Sequence, residues 1–114
     1  MTWRPKGEME TGIEENQRAI LGEMSGLSDW LETYEYLLRQ EKGLEEMGEG
    51  EKVEANRVPG CQSQVWLTGR MDGDVIRFGA CSDSRLIGGM AALLLRVLDG
   101  QPPDEVAVAE LFFI

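Results

Sequence analysis

Histidine is absent from this sequence of 114 residues, and its absence excludes several classes of site. Enzymes that pair a serine or cysteine nucleophile with an imidazole base cannot be built from it. Zinc loses its usual nitrogen ligand, and the two cysteines, Cys61 and Cys81, are too few to close a structural zinc site. We therefore expect no metal site, and any chemistry at a cysteine must proceed without an imidazole.

Positive charge is scarce, with 11 Lys and Arg against 21 Asp and Glu and a formal net charge of −10. The imbalance is uneven, because residues 1–56 carry a net charge of −8. Such a chain repels phosphate backbones, which argues against nucleic-acid binding. The acidic residues serve either as a solvated surface that keeps the protein soluble or as a docking face for a protein partner.

Long apolar runs are also missing. The longest candidate, 90–95, ends at Arg96, well short of the roughly 18 residues that a membrane span needs. The first six residues lead into Gly7 and Glu8 rather than an apolar stretch, which argues against a signal peptide. We expect a cytoplasmic protein, in which two cysteines rarely form a structural disulfide.

The length suits one domain with a single modest core. Residues 1–12 show no apolar periodicity, and we predict a disordered N-terminal segment there and a single domain over 13–114. A first helix is predicted from Ile13. A second begins behind Asp29 and Glu32, which have the spacing of a capping box. Its predicted apolar stripe is Trp30, Leu31, Tyr34, Leu37 and Leu38.

A third helix is predicted to open at Ser84 and to stop at Gly100. Gly88 and Gly89 inside it cost about 1 kcal/mol each relative to alanine, which indicates close backbone packing. Residues 106–114 are interpreted as a third strand or the start of another helix.

Two strands are predicted between the second and third helices, over 64–68 and 74–78. The pair Asp72-Gly73 between them is typical of a tight hairpin. Residues 41–56, rich in Glu and Gly, are predicted to form the end of a helix and an exposed loop. The order of elements predicts an α+β domain in which helices pack on an antiparallel sheet.

Cys61 follows Pro59-Gly60 in the loop that enters this sheet. A thiolate that attacks sulfur needs access and no general base. Arg57, four residues upstream, would favour the thiolate. Spacing alone leaves open a second interpretation, in which Cys61 is a small buried hydrophobe at a turn.

The segment Asn56-Arg57-Val58-Pro59-Gly60-Cys61-Gln62-Ser63-Gln64-Val65-Trp66-Leu67 closely resembles the active-site segment of the SufE family. The resemblance extends more loosely over residues 27–110, through Cys81-Ser82-Asp83-Ser84 and the Pro102-Pro103 pair. It implies a fold shared with the iron–sulfur scaffold proteins. It also implies that Cys61 takes sulfur from a persulfide on a cysteine desulfurase and relays it to a scaffold. The pyridoxal phosphate would belong to the desulfurase, and the chain itself would need no cofactor.

The sequence departs from the family pattern in three places, one of which is the helix end at 37–42, less apolar here than in the family. Family members normally continue past the position of Ile114, so the chain is expected to be either a shortened member or a truncated one, and Leu111–Ile114 would be an exposed apolar end. Arg85 also stands where the family commonly has an acidic residue, which could alter the choice of partner.

Three other functions stay open. The chain could be a regulatory module that docks a desulfurase or a ligase without carrying sulfur, or a thiol redox switch between Cys61 and Cys81. A cysteine hydrolase is the weakest alternative, because no histidine is present. Cys81 itself is interpreted first as a small core residue at a strand end, and Trp66, Trp30 and Tyr34 as core aromatics.

Overall fold

The computed structural model describes residues 11–113 and shows an α+β arrangement, which confirms the predicted class. The predicted N-terminal segment lies outside the described residues except for Thr11 and Gly12. In chain order the helices and strands are α1 (Gly12–Met24), α2 (Trp30–Lys42), β1 (Val65–Asp72), β2 (Val75–Ser82), α3 (Arg85–Leu98) and α4 (Pro103–Ala107). Two short 3-10 turns, Glu49–Glu51 and Glu54–Asn56, interrupt the connection between α2 and β1.

Side-chain caps fix where the first two helices begin. Thr11 and Glu14 form a reciprocal capping box at α1, in which the Glu14 amide donates to Thr11 Oγ1 at 3.2 Å. At α2, Asp29 accepts from the Glu32 amide at 2.9 Å, as predicted. The Glu32 carboxylate, however, accepts from the backbone and hydroxyl of Ser28 rather than from Asp29. The return half of the box therefore lies one residue earlier than the sequence suggested.

The buried face of α2 differs from the predicted stripe. Trp30 and Leu31 are 71% and 59% exposed, so their assignment to the core was wrong. Tyr36 is buried instead, and its hydroxyl donates to a Glu23 carboxylate oxygen at 2.8 Å. This bond lets the phenol enter the core without an unpaired polar atom. Trp30 stacks on Tyr34 at a ring-centroid distance of 5.1 Å.

The main core lies where α1, α2 and α3 meet, around Ile13, Ile20, Tyr36, Leu93 and Val97. Helices α2 and α3 approach most closely at the glycine pair of α3, as predicted from the sequence. A Cβ built on Gly89 would overlap the Leu37 carbonyl oxygen, and one on Gly88 would lie 2.9 Å from Glu41 Cγ.

Strands β1 and β2 form an antiparallel hairpin that turns at Gly73, whose φ is 61°. Each strand is three residues longer than predicted, so the pairing extends from Val65–Ser82 to Asp72–Val75. The end of β2 leads directly into α3, where the Ser84 hydroxyl accepts from the Ile87 amide at 3.3 Å. The hairpin thus presents the entrance of β1 beside the start of α3.

The C-terminal segment is anchored to α1 by Gln17, whose side chain is fully buried. Its amide nitrogen donates to the Glu110 carbonyl at 2.9 Å, and its oxygen accepts from the Phe112 amide at 2.7 Å. Phe113 packs on the core, whereas Leu111 and Phe112 are 36% and 42% exposed. The predicted apolar end is therefore held in place and only partly exposed over the described residues. Neither predicted option holds for most of 106–114: helix α4 begins earlier, at Pro103, and ends at Ala107, and residues 108–113 form neither helix nor strand.

Candidate functional site

Cys61 lies in a loop whose two ends are joined by backbone hydrogen bonding. The Val58 amide donates to the Val65 carbonyl at 2.8 Å, and Arg57 forms an isolated antiparallel bridge with Trp66. These contacts close the loop where β1 begins. The Cys61 side chain is exposed, so the buried-hydrophobe interpretation of this residue is wrong.

Gly60 gives the loop its turn immediately before the cysteine. Its φ is 82°, a left-handed conformation that residues with a Cβ rarely adopt. A Cβ placed there would meet nothing within 4 Å. Glycine is therefore favoured at this position by the backbone conformation and not by close packing. Pro59 and Gln62 on either side are exposed, which leaves the thiol open to a partner.

The far end of the loop is anchored to the junction between β2 and α3. The backbone amide of Gln64 donates to Asp83 Oδ1 at 3.0 Å, and the backbone carbonyl of Gln64 accepts from the Asp83 amide at 3.2 Å. The same carbonyl accepts from the Ser82 hydroxyl at 2.8 Å. Ser82 Oγ in turn accepts from the Ser84 amide at 3.1 Å. Three consecutive residues thus fix the position from which the Cys61 loop departs.

Sequence reasoning did not identify Ser82 and Asp83 as supports of the cysteine loop. In the sequence they are only the residues that precede the Ser84 cap. Their hydrogen bonds to Gln64 join positions 18 and 19 residues apart, which local spacing does not predict. The motif around Cys81 was the available signal, because it belongs to the segments that resemble the SufE family.

The charged residues near the loop form local ion pairs. The Arg57 guanidinium pairs with Glu54 at 3.5 Å, and the Glu54 side chain is far more exposed than that of Arg57. Lys52 donates to Glu49 at 3.3 Å. The pKa of Lys52 is raised, first by this hydrogen bond and then by the negative charge of a Cys81 thiolate. Lys52 therefore lies close enough to Cys81 for the two charges to interact.

Cys81 is half-buried in β2, where its ladder partner is Trp66. Both cysteines are free thiols in this structure. Within residues 11–113, no set of three His, Cys, Asp or Glu side chains is grouped closely enough to hold a metal ion. None of the helices in that range is both long and apolar enough to cross a membrane.

A family model described as "SufE: Fe-S metabolism associated domain" matches residues 18–114. An uncharacterised SufE-like protein of Rhizobium etli is 33% identical over 114 residues, covering 96% of this chain and 76% of its own. A SufE-like protein of Synechocystis is 41% identical over 73 residues, which cover 64% of this chain and 46% of the relative.

Two further similarities concern larger or less similar chains. A chloroplastic quinolinate synthase of rice is 51% identical over 71 residues, which are 61% of this chain and 10% of the synthase. A solution structure of a hypothetical protein from Thermus thermophilus superimposes with a TM-score of 0.69 at 21% identity. It covers 92% of this chain and 74% of that chain, and it shows that the fold is shared.

Proposed function

This chain belongs to the SufE family of Fe–S metabolism, and from that premise we propose that Cys61 is its sulfur acceptor. The donor is a persulfide on a pyridoxal-phosphate-dependent cysteine desulfurase, and the recipient is an iron–sulfur scaffold or another sulfur acceptor. The protein stimulates the desulfurase, has no turnover of its own and acts in the cytoplasm. The observation that carries the proposal is an exposed thiol on a loop that is fixed at both ends.

The proposed transfer is a thiol exchange in which no electrons are gained or lost overall. The Cys61 thiolate attacks the outer sulfur of the donor persulfide, and a new S–S bond forms on Cys61. The S–S bond of the donor breaks, and the donor cysteine leaves as a thiolate that takes up a proton. The step needs an accessible thiolate and no general base, which suits a chain without histidine.

The loop geometry supports this chemistry in two ways. The closing bond from Val58 to Val65 and the Asp83–Gln64 pair limit where the loop can move, so the thiol is presented at a defined edge of the sheet. The turn at Gly60 leaves Cys61 without a bulky neighbour before it. A partner cysteine carrying a persulfide can therefore approach from solvent.

Intact-protein mass spectrometry tests the proposal after incubation with a cysteine desulfurase and free cysteine. We expect wild type to gain one sulfur atom that reductant removes, and Cys61→Ser to gain none. Cys81→Ser is the matched control and should gain sulfur as wild type does. Equal gain by wild type and Cys61→Ser would contradict the proposal.

The same samples separate the alternative functions. If wild type stays unmodified while the desulfurase is active and still stimulated, the chain is a docking module and the sulfur-acceptor proposal fails. If mild oxidation joins Cys61 to Cys81, and Cys81→Ser abolishes this product while no sulfur is gained, the redox switch is supported instead.

A further inference from the structure

The outer face of α2 leaves large apolar side chains exposed. With 3.6 residues per turn, Tyr34 and Leu38 lie about 160° around the helix from Tyr36, which is buried. Trp30 and Leu31 begin the same face, and they are 71% and 59% exposed. Large apolar side chains that are exposed next to one another commonly mark an interaction site.

These side chains form one continuous patch. The Trp30 ring stacks on the Tyr34 ring at a centroid distance of 5.1 Å with an interplanar angle of 19°. Residues three and four positions apart on a helix are neighbours, so Tyr34 also adjoins Leu31 and Leu38. We call these four residues the apolar face of α2. Its two rings have few rotatable bonds, so little side-chain entropy is lost when a partner covers them.

Charge divides α2 into two halves along this face. The amino-terminal half is acidic, and its carboxylates belong to Asp29, Glu32 and Glu35. The carboxyl-terminal half is basic through Arg39 and Lys42, because its Glu41 is neutralised by an arginine of α3 at 3.3 Å. Apart from Glu41, none of these charged side chains forms an ion pair with a described residue. Such a distribution also suits the dipole of α2, so it is the exposed apolar face beside it that indicates a partner.

A second copy of the chain complements this pattern. When two α2 helices pack antiparallel about a twofold axis, the acidic half of each lies against the basic half of the other. With the axis level with residues 35–36, near the middle of α2, Glu32 lies opposite Arg39 of the second copy. Asp29 then lies opposite Lys42 of the second copy, so one axis satisfies both pairs. Parallel packing would instead place like charges together.

Other occupants suit the face less well. The net charge of −10 opposes adsorption on an anionic membrane. A strongly acidic or strongly basic partner would be repelled by one half of α2. Two helices of 13 residues overlap over about 20 Å, which is short for a permanent interface. The dimer is therefore expected to be weak and reversible.

We propose that the chain forms a reversible dimer in which the apolar faces of two α2 helices pack antiparallel. Each stack of Trp30 on Tyr34 packs against the second helix, and the charged halves of α2 fix the direction of packing. Neither cysteine belongs to the face, so the dimer does not depend on the sulfur transfer proposed for Cys61. Cys61→Ser should therefore dimerise as wild type does.

Sedimentation velocity over a range of protein concentrations tests the proposal, in reductant so that the exposed thiol of Cys61 cannot link two copies. We expect an equilibrium between monomer and dimer. Leu31→Ser should weaken the dimer at least about tenfold, because two leucines leave the interface together. Val108→Ser is the matched control and should leave the dimer unchanged, since Val108 is 78% exposed and lies outside the face. A monomer at every concentration, or equal weakening by both variants, would overturn the proposal.

The charge pairs are tested by two matched arginine variants. Arg39→Glu should weaken dimerisation about fivefold more than Arg70→Glu does, because the twofold axis brings two like-charge contacts into the interface at once. Arg70 is a suitable control, since it is exposed, lies outside α2 and forms no ion pair with a described residue. Equal weakening by the two variants would refute the charge pairs.

The direction of packing is tested by chemical cross-linking in a background of Cys61→Ser and Cys81→Ser. A short bifunctional maleimide should link Glu35→Cys to its copy, because this position lies beside the axis. Lys42→Cys should not link to its copy, since the two positions lie about 20 Å apart along the helices. Equal linking of both variants would show parallel packing and overturn the proposed dimer. Failure of Glu35→Cys to link would overturn the α2 interface.

Discussion

The two glycines of α3 and one glycine of α1 should respond differently to the same substitution. In an exposed helix position, alanine is more favourable than glycine by about 1 kcal/mol. Gly22 is such a position, because a Cβ there meets nothing within 4 Å. Gly89 is the opposite case, because its Cβ would overlap the Leu37 backbone, which cannot move without shifting α2. Gly88 lies between them, because its Cβ meets only the flexible Glu41 side chain.

We therefore expect Gly22→Ala to raise the free energy of unfolding by about 0.5–1 kcal/mol, with the lower figure favoured near a helix end. Gly89→Ala should lower it by about 1–3 kcal/mol, because overpacking outweighs the helix propensity of alanine. Gly88→Ala should change it by less than about 1 kcal/mol, since Glu41 can rotate away. The assay is urea unfolding followed by circular dichroism. The slope of the free energy of unfolding against urea concentration should be the same in wild type and variants, because a changed slope would indicate a changed unfolded state.

A change of about 1 kcal/mol in the free energy of unfolding shifts the melting temperature by about 4–8 °C for a domain of this size. Gly22→Ala and Gly89→Ala should therefore melt on opposite sides of wild type. If Gly89→Ala is as stable as Gly22→Ala, the close approach of α2 and α3 is absent in solution and the packing argument fails.

Three further predictions concern the ion pair and the cysteine loop. The hydrogen bond from Arg96 lowers the pKa of Glu23 to about 2; this stabilisation is complete above the ordinary pKa of 4.5 and is lost as the pH falls towards 2. Glu23→Gln should cost about 1 kcal/mol at pH 7, after allowance for solvent screening, and clearly less near pH 2, where Glu23 is half protonated. An equal cost at both pH values in urea titrations would contradict the ion pair. Asp83→Ala should speed hydrogen exchange of the Gln64 amide about fivefold, as expected for a bond of about 1 kcal/mol, and an unchanged rate would show that the bond does not hold the loop. Gly60→Ala should lower the free energy of unfolding by about 1 kcal/mol because of its left-handed backbone, and no loss of stability would mean that the turn relaxes freely.

Local signals in the sequence predicted much of the fold. The Ser84 cap and the packing role of Gly88 and Gly89 depend on neighbouring residues or on missing side chains, and the structure shows both. The hairpin turn also lies in the predicted segment, but its two central residues are Gly73 and Asp74, because Asp72 still pairs with Val75. Helix periodicity failed for Trp30, because a three-to-four-residue stripe does not show which side of α2 faces the other helices. Burial depends on tertiary packing, which local spacing does not contain.

The position of Cys61 was predictable, and its supports were not. The contiguous segment around the cysteine carried the family resemblance and located the loop before β1. The bonds from Ser82 and Asp83 to Gln64 depend on the register of the hairpin, which ran three residues longer in each strand than predicted.

The buried amide of Gln17 makes the first helix and the C-terminal segment one cooperative unit. Because its oxygen and nitrogen bind the backbone of Phe112 and Glu110, a protease cut that released these residues would leave a buried polar group without its partners. The lost hydrogen bonds would destabilise α1, nearly a hundred residues away along the chain. Trimming this segment would therefore act as a core mutation, and a fusion placed directly after it would stress the first helix before it disturbed the cysteine loop.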